Sequence, residues 1–173
     1  MLQPPEIVLK PIGIVRTPSS DEEVKSSYFG VDGYIEVYDE YVDGLRGLEG
    51  FSHIIVLAYL HKVPEDARKT LVVKHRRLLR FGLKLDELPE TGVFATDSPH
   101  RPNPLALSIL RVVKIEGKRI YVKNLDLYDG TPVLDIKPYT PDRCIEPSQL
   151  ELPEWYVRLR ARVREVLGMD VAI

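Results

Sequence analysis

Apolar residues recur along this chain in short alternating runs separated by turn residues, the pattern of strands rather than helices. Residues 7–15, IVLKPIGIV, read as a first strand between Pro4-Pro5 and Thr17-Pro18-Ser19-Ser20, and residues 33–38, GYIEVY, alternate as a second. Residues 52–60, SHIIVLAYL, form a nearly continuous apolar run whose β-branched residues and closing Pro64 suit a strand buried on both faces. Residues 92–96, 105–115, 119–125 and 133–136 supply four more, with Glu116-Gly117 and Asp129-Gly130 as turns. Short strands joined by turns predict a mainly β fold, a small β-barrel or sandwich of about seven strands with few helices, and argue against a parallel doubly wound sheet.

One helical pattern stands out. Trp155, Leu159, Val163 and Val166 recur at helical spacing after Pro153, and Gly168 stops them, so a C-terminal α-helix is expected. The predicted organisation is a barrel domain over residues 1–142 with a helical extension, residues 143–173, packed on it. Arg158 and Arg162 flank one side of the apolar stripe, Arg160 and Arg164 the other. They suit either surface pairing with Glu151, Glu154 and Glu165 or a contact with nucleic acid or a partner. Between the first two strands, residues 16–32 read as a long polar loop, functional or disordered.

Composition narrows the class. The 173 residues are 44% hydrophobic and 29% charged, which fits one soluble domain with a real core. No apolar run approaches the roughly 18 residues that span a bilayer. Met1 to Gln3 is followed at once by Pro4, Pro5 and Glu6, so no secretory leader is read and a cytoplasmic protein is expected. The single Cys144 forms no internal disulfide, and His53, His61, His75 and His100 lack the spacing of a zinc site, so no metal is expected. A net charge of -2 gives no global attraction to phosphate, and a nucleic-acid surface would have to be local. The local candidate is KHRRLLR, with Lys74, His75, Arg76, Arg77 and Arg80, unless it is simply a solvated face.

Two dense stretches carry candidate chemistry. In ATDSPHRPNPLALS, residues 95–108, Pro99, Pro102 and Pro104 stiffen a loop that presents His100, Arg101 and Asn103. Residue chemistry alone leaves structural turn and ligand wall both open. The second stretch, LDLYDGTPVLDIKPY, residues 125–139, places an acid and a tight turn with exposed backbone amides at Asp129-Gly130-Thr131-Pro132, or else a plain hairpin. Asp97, Ser98 and His100 are too close in sequence to arrange as a catalytic triad, and no Gly-x-Gly-x-x-Gly follows a strand.

GVFATDSPHRPNPLALS and LDLYDGTPVLDIKPY, preceded by GLEGFSHIIVLAYLHK and IGIVRTP, together resemble the TsaA-like family over roughly residues 12–139. Its characterised tRNA-modifying members, called TrmO, methylate N6 of threonylcarbamoyladenosine at position 37 of tRNA. The resemblance implies a small β-barrel methyltransferase that binds S-adenosylmethionine outside any Rossmann fold, acts on tRNA, and forms a homodimer with the site near the subunit interface. It places cofactor contacts on His61, Lys62, Leu107, Asp129, Gly130, Thr131 and Pro132, with Arg101, Pro102 and Asn103 in the signature loop. Asp129 or His61 is the candidate base or hydrogen-bond acceptor for the methylated nitrogen. Lys74, Arg76, Arg77 and Arg80 are the RNA candidates. Two departures bear on the acceptor: Asp97 stands where tRNA-modifying members have Arg in ATRSP, and the family's Gln-Pro-Gly stretch is missing from residues 16–32. A methyltransferase for another acceptor and a non-catalytic cofactor-binding module are the competing readings.

Overall fold

The computed structural model describes residues 6–170. Six antiparallel strands close into a barrel: β1 (Gly13–Arg16), β2 (Val31–Val37), β3 (His53–Tyr59), β6 (Leu105–Glu116), β7 (Arg119–Leu125) and β8 (Pro132–Pro138), in the order β1-β2-β7-β6-β3-β8. Two further strands, β4 (Val72–Lys74) and β5 (Glu90–Gly92), pair with each other in the long connection between β3 and β6. The mainly β barrel with a C-terminal helix is as the sequence pattern predicts, with eight strands in place of seven and six of them in the barrel.

The barrel is held by its inward-facing side chains. Val15, Ile35, Ile54, Val56, Ala58, Leu110, Ile120, Leu125 and Val133 are wholly buried, each large aliphatic contributing about 1.5–3 kcal/mol by leaving water. The β3 run alternates instead of being buried on both faces: Ile54, Val56 and Ala58 point in, and Ile55 and Leu57 lie half-buried outside. An antiparallel barrel strand has one interior face, and its long apolar run reflects a partly covered outer surface.

Three other expectations shift. The first strand begins at Gly13 rather than residue 7, because Pro11 has no N–H to give the ladder; the exposed Ile7, Val8 and Leu9 precede it unpaired. Residues 92–96 are strand only at Gly92 and then turn through a 3-10 segment, Val93–Ala95. Within residues 16–32 lies a short helix, α1 (Asp21–Ser26), closed by a capping box in which Ser20 and Glu23 satisfy each other's backbone N–H.

The C-terminal helix, α2 (Glu154–Leu167), ends at Gly168 in the left-handed region as predicted. Its buried Leu159 and Val163 pack against Leu78, Leu83 and Leu88 from the β4–β5 connection, forming a second small core. Its arginines are paired on the surface: Arg158 with Glu154, Arg162 with Glu87 and Glu165, and Arg160 and Arg164 with Asp170.

The antiparallel register gathers six chain ends at one mouth of the barrel: the C-termini of β1, β3 and β7 and the N-termini of β2, β6 and β8. The connection from β3 to β6, α1, and the turn between β7 and β8 all start or end at this mouth.

Candidate functional site

The turn after β7 is tied to β1. The N–H of Gly130 donates to the Val15 carbonyl at 2.9 Å, and that of Val15 to the Thr131 carbonyl at 2.9 Å. The Thr17 N–H donates to Asp129 Oδ1 at 3.1 Å, and Arg16 stands 3.6 Å from the other Asp129 oxygen. Gly130 has φ of +80°, and a side chain there would reach to 4.0 Å from His61 Nε2. The left-handed backbone is why a glycine serves, since a Cβ at that distance would make only an ordinary contact with the imidazole.

His61 and Lys62 follow β3 after the single residue Leu60. Partial burial, reinforced by the neighbouring Lys62 charge, lowers the His61 pKa below its usual value, against a smaller opposing pull from Asp21. The lowered value favours the neutral imidazole, which has a lone pair available to accept a proton. Lys62 Nζ lies 2.5 Å and 2.8 Å from the Asp21 oxygens and 5.1 Å from the centre of the Tyr128 ring. Burial, together with the Asp21 carboxylate, raises the Tyr128 phenol, keeping it neutral.

The proline loop enters from the other side. Its last member, buried Pro104, accepts from the Leu60 N–H at 2.8 Å, so the loop ends one residue from His61. Arg101 folds back to donate to the Val93 carbonyl at 2.9 Å and pins the loop to its stem, and Asn103 and Asp97 are exposed. Leu107 lies on the outside of β6, 64% exposed, in a stripe with Leu105, Ile109 and Val113.

The fold thus brings together His61, Lys62, the Asp129–Pro132 turn and the end of the proline loop, while Leu107 faces the adjoining outer surface. One expectation about the turn changes. The amides of Gly130 and Thr131 are already bonded within the fold, the latter to the Tyr128 carbonyl at 3.1 Å, and Pro132 has none, so these amides are not on offer to a ligand. The RNA candidates divide. Arg77 donates to the Ser27 carbonyl at 2.7 Å and Arg80 to Glu22 at 2.8 Å, whereas Lys74 and Arg76 make no ion pair among the described residues.

Two features escaped the reading of the sequence. Buried Ser108 donates to Asp126 Oδ1 at 2.6 Å, orienting an exposed carboxylate at the same mouth. Its trace in the sequence is the polar residue between Leu125 and Leu127, both buried. The second is α1, whose signal was the Ser-x-x-Glu capping box at Ser20 and Glu23.

Residues 18–143 match the tRNA-methyltransferase O N-terminal domain, well over half of the chain. The chain belongs to the tRNA-methyltransferase O family. Among its relatives, an S-adenosyl-L-methionine-binding protein of Archaeoglobus fulgidus is 38% identical over 149 residues, covering 84% of this chain and 97% of that protein. The human tRNA (adenine(37)-N6)-methyltransferase is 43% identical over 108 residues, 60% of this chain and 22% of the human protein. TrmO from Pseudomonas aeruginosa superposes with a TM-score of 0.62 at 26% identity, over 89% of this chain. This chain spans 63% of that family member's length.

The residues at the mouth suit the chemistry of the family's cofactor. Asp126 and Asp129 have oxygens that can accept further from amino and hydroxyl groups, and Lys62 and Arg16, each already beside an acid, are cations that a cofactor carboxylate would share. Leu107 offers an apolar surface for an adenine ring.

Proposed function

We propose that this chain is an S-adenosylmethionine-dependent methyltransferase whose acceptor is N6 of threonylcarbamoyladenosine at position 37 of tRNA. The reading is carried by one observation: His61, Lys62, the Asp129–Pro132 turn and the proline loop converge at one barrel mouth in a chain of this family. The relatives named as tRNA (adenine(37)-N6)-methyltransferases support the base and its position.

The cofactor supplies an activated methyl on a sulfonium, so the protein's work is positioning and removal of one proton. N6 gains the methyl and gives up its proton. Neutral His61 is suited to take it, and Asp129 is the weaker candidate because Thr17 and Arg16 already occupy its oxygens. Lys62, Arg101, Asn103, Leu107 and Asp129–Pro132 form the cofactor wall in this reading, and Arg76 and Lys74 meet the RNA. The outer stripe Leu105, Leu107, Ile109 and Val113 is the proposed homodimer face, which would set Leu107 between cofactor and partner.

The test is transfer of labelled methyl to bulk tRNA with and without the threonylcarbamoyl group, followed by nucleoside mass spectrometry. Label on threonylcarbamoyladenosine alone is the expected outcome; label on unmodified adenosine or on no nucleoside would reject it. A second reading, a methyltransferase for another acceptor, draws on Asp97 and on α1 in place of the family's Gln-Pro-Gly stretch.

A further inference from the structure

Three cations converge under α1. Lys62 comes from the end of β3, and Arg77 and Arg80 from the 3-10 segment Arg76–Phe81. Lys62 holds both Asp21 oxygens, Arg80 holds Glu22, and Arg77 caps the Ser27 carbonyl at the other end of the helix. Around them, the Tyr28 ring stacks on Phe81 at 4.5 Å and Asn124 Nδ2 donates to the Phe29 carbonyl at 3.0 Å. Gly30, with φ of +75°, lies so close to the Asn124 backbone that a Cβ would stand 2.4 Å from its carbonyl carbon.

A helix of six residues has no independent stability in water. Its rear, from Tyr28 to Gly30, is anchored by stacking and close backbone contact, while its front is held by two ion pairs. Those pairs are exposed: Lys62 and Asp21 are 43% and 49% accessible, Arg80 and Glu22 36% and 70%. Exposed pairs are weak and screened by salt, so the front of α1 is cheap to lift. Asp21 and Glu22 are adjacent acids that direct carboxylate oxygens onto two cations, the arrangement that successive phosphates of a nucleic-acid strand would also satisfy.

We propose that Asp21 and Glu22 are specificity-determining residues: they occupy Lys62 and Arg80 in place of ligand phosphates, and a single-stranded RNA reaches the mouth only by displacing them. A polyanion that replaces both carboxylates at once gains both cations together, which a single small anion does not. Lys62 then passes from Asp21 to the ligand, which links RNA arrival to the residue beside His61. The polyanion's identity as tRNA rests on the proposed function; the displacement itself does not.

The experiment compares wild type, Asp21→Asn/Glu22→Gln, and a control with the same charge change at the other end of the barrel, Asp43→Asn/Glu49→Gln. Affinity for a short fluorescent single-stranded RNA and for bulk tRNA is measured at low and physiological salt, with methyl transfer by the wild type assayed in parallel. The α1 variant is expected to bind both RNAs about 5- to 30-fold more tightly at low salt, as two exposed pairs would give, with the control within about 2-fold of wild type. Equal gains in variant and control, or a loss in the variant, would overturn the displacement. If the wild type methylates tRNA and the variant gains nothing, the inference fails and the function stands. If the variant gains affinity while the wild type transfers no methyl, the function fails and the displacement stands.

Discussion

The two mouths of the barrel are closed by different mixtures of forces. At the far mouth, Tyr41, Leu45, Leu48 and Phe51 from the connection after β2 line a groove of about 520 Å³ with Ile12, Val37 and Ile136, rimmed by Glu40, Arg46 and Asp135, and Lys118 of the β6–β7 turn pairs with Asp39 and Glu36 beside it. At the near mouth the closing contacts are polar and join distant segments: Thr17 to Asp129, Lys62 to Asp21, Arg80 to Glu22, Ser108 to Asp126. Apolar packing stabilises only while water is excluded, so the packed side chains of the far mouth resist separation. Exposed charge contacts exchange for a ligand's own charges at small cost, so the mouth stitched by them is the one that can open to a substrate.

The largest effect that sharpens this contrast belongs to the core between the mouths. Ile54→Ala, at a wholly buried position on β3, is expected to cost about 2–5 kcal/mol in urea unfolding while leaving methyl transfer per folded molecule unchanged. Next comes the near mouth: Asp129→Asn weakens the bond from Thr17 and is expected to lose about 1 kcal/mol of stability but at least about 10-fold in cofactor affinity. A stability loss without an affinity loss would make Asp129 a strut rather than part of the wall.

Acid pH should act next in size. His61 and His75 both have lowered pKa values, chiefly through burial, and His75 Nε2 is buried with no partner while its ring packs 5.8 Å from Trp155. Because the unfolded chain binds protons at higher pH than the folded one, their contribution is complete above the ordinary histidine range. It is lost as pH falls through that range toward the folded values. His75→Phe is expected to flatten the fall in Tm between neutral and mildly acidic pH; an unchanged slope would assign the effect elsewhere. The smallest effect is at α1: Ser20→Ala removes one side of the capping box and is expected to leave global stability within about 0.5 kcal/mol while speeding amide exchange across residues 21–27.

Much of this molecule was legible before any coordinates. Alternation gave β2, a nearly continuous apolar run gave β3, apolar runs bounded by turns gave β6, β7 and β8, each to within a few residues, and helical spacing gave α2 with its Gly168 stop, because those elements face one core each. The family resemblance to the TrmO proteins, read from four motifs, is borne out, and the motif segments do meet at one mouth. What escaped was decided by single residues or by distant partners. Pro11 shortened β1 through a missing N–H, and the capping box at Ser20 was hidden in a stretch read as loop. The fate of the basic run depended on acids some fifty positions earlier: Arg80 meets Glu22, 58 residues away. Spacing along a chain does not encode such pairs. The amides of the Gly130 turn were likewise read as free, although the carbonyls of Val15 and Tyr128 had already claimed them.

We place the cofactor at the charge-stitched mouth rather than in the far groove, and hydrogen exchange of the whole chain with and without S-adenosylmethionine separates the two. Slowed exchange in residues 59–63, 96–108 and 126–132, with residues 38–51 unchanged, is the expected result. Protection confined to residues 38–51 and the end of β8 would put the cofactor in the far groove instead.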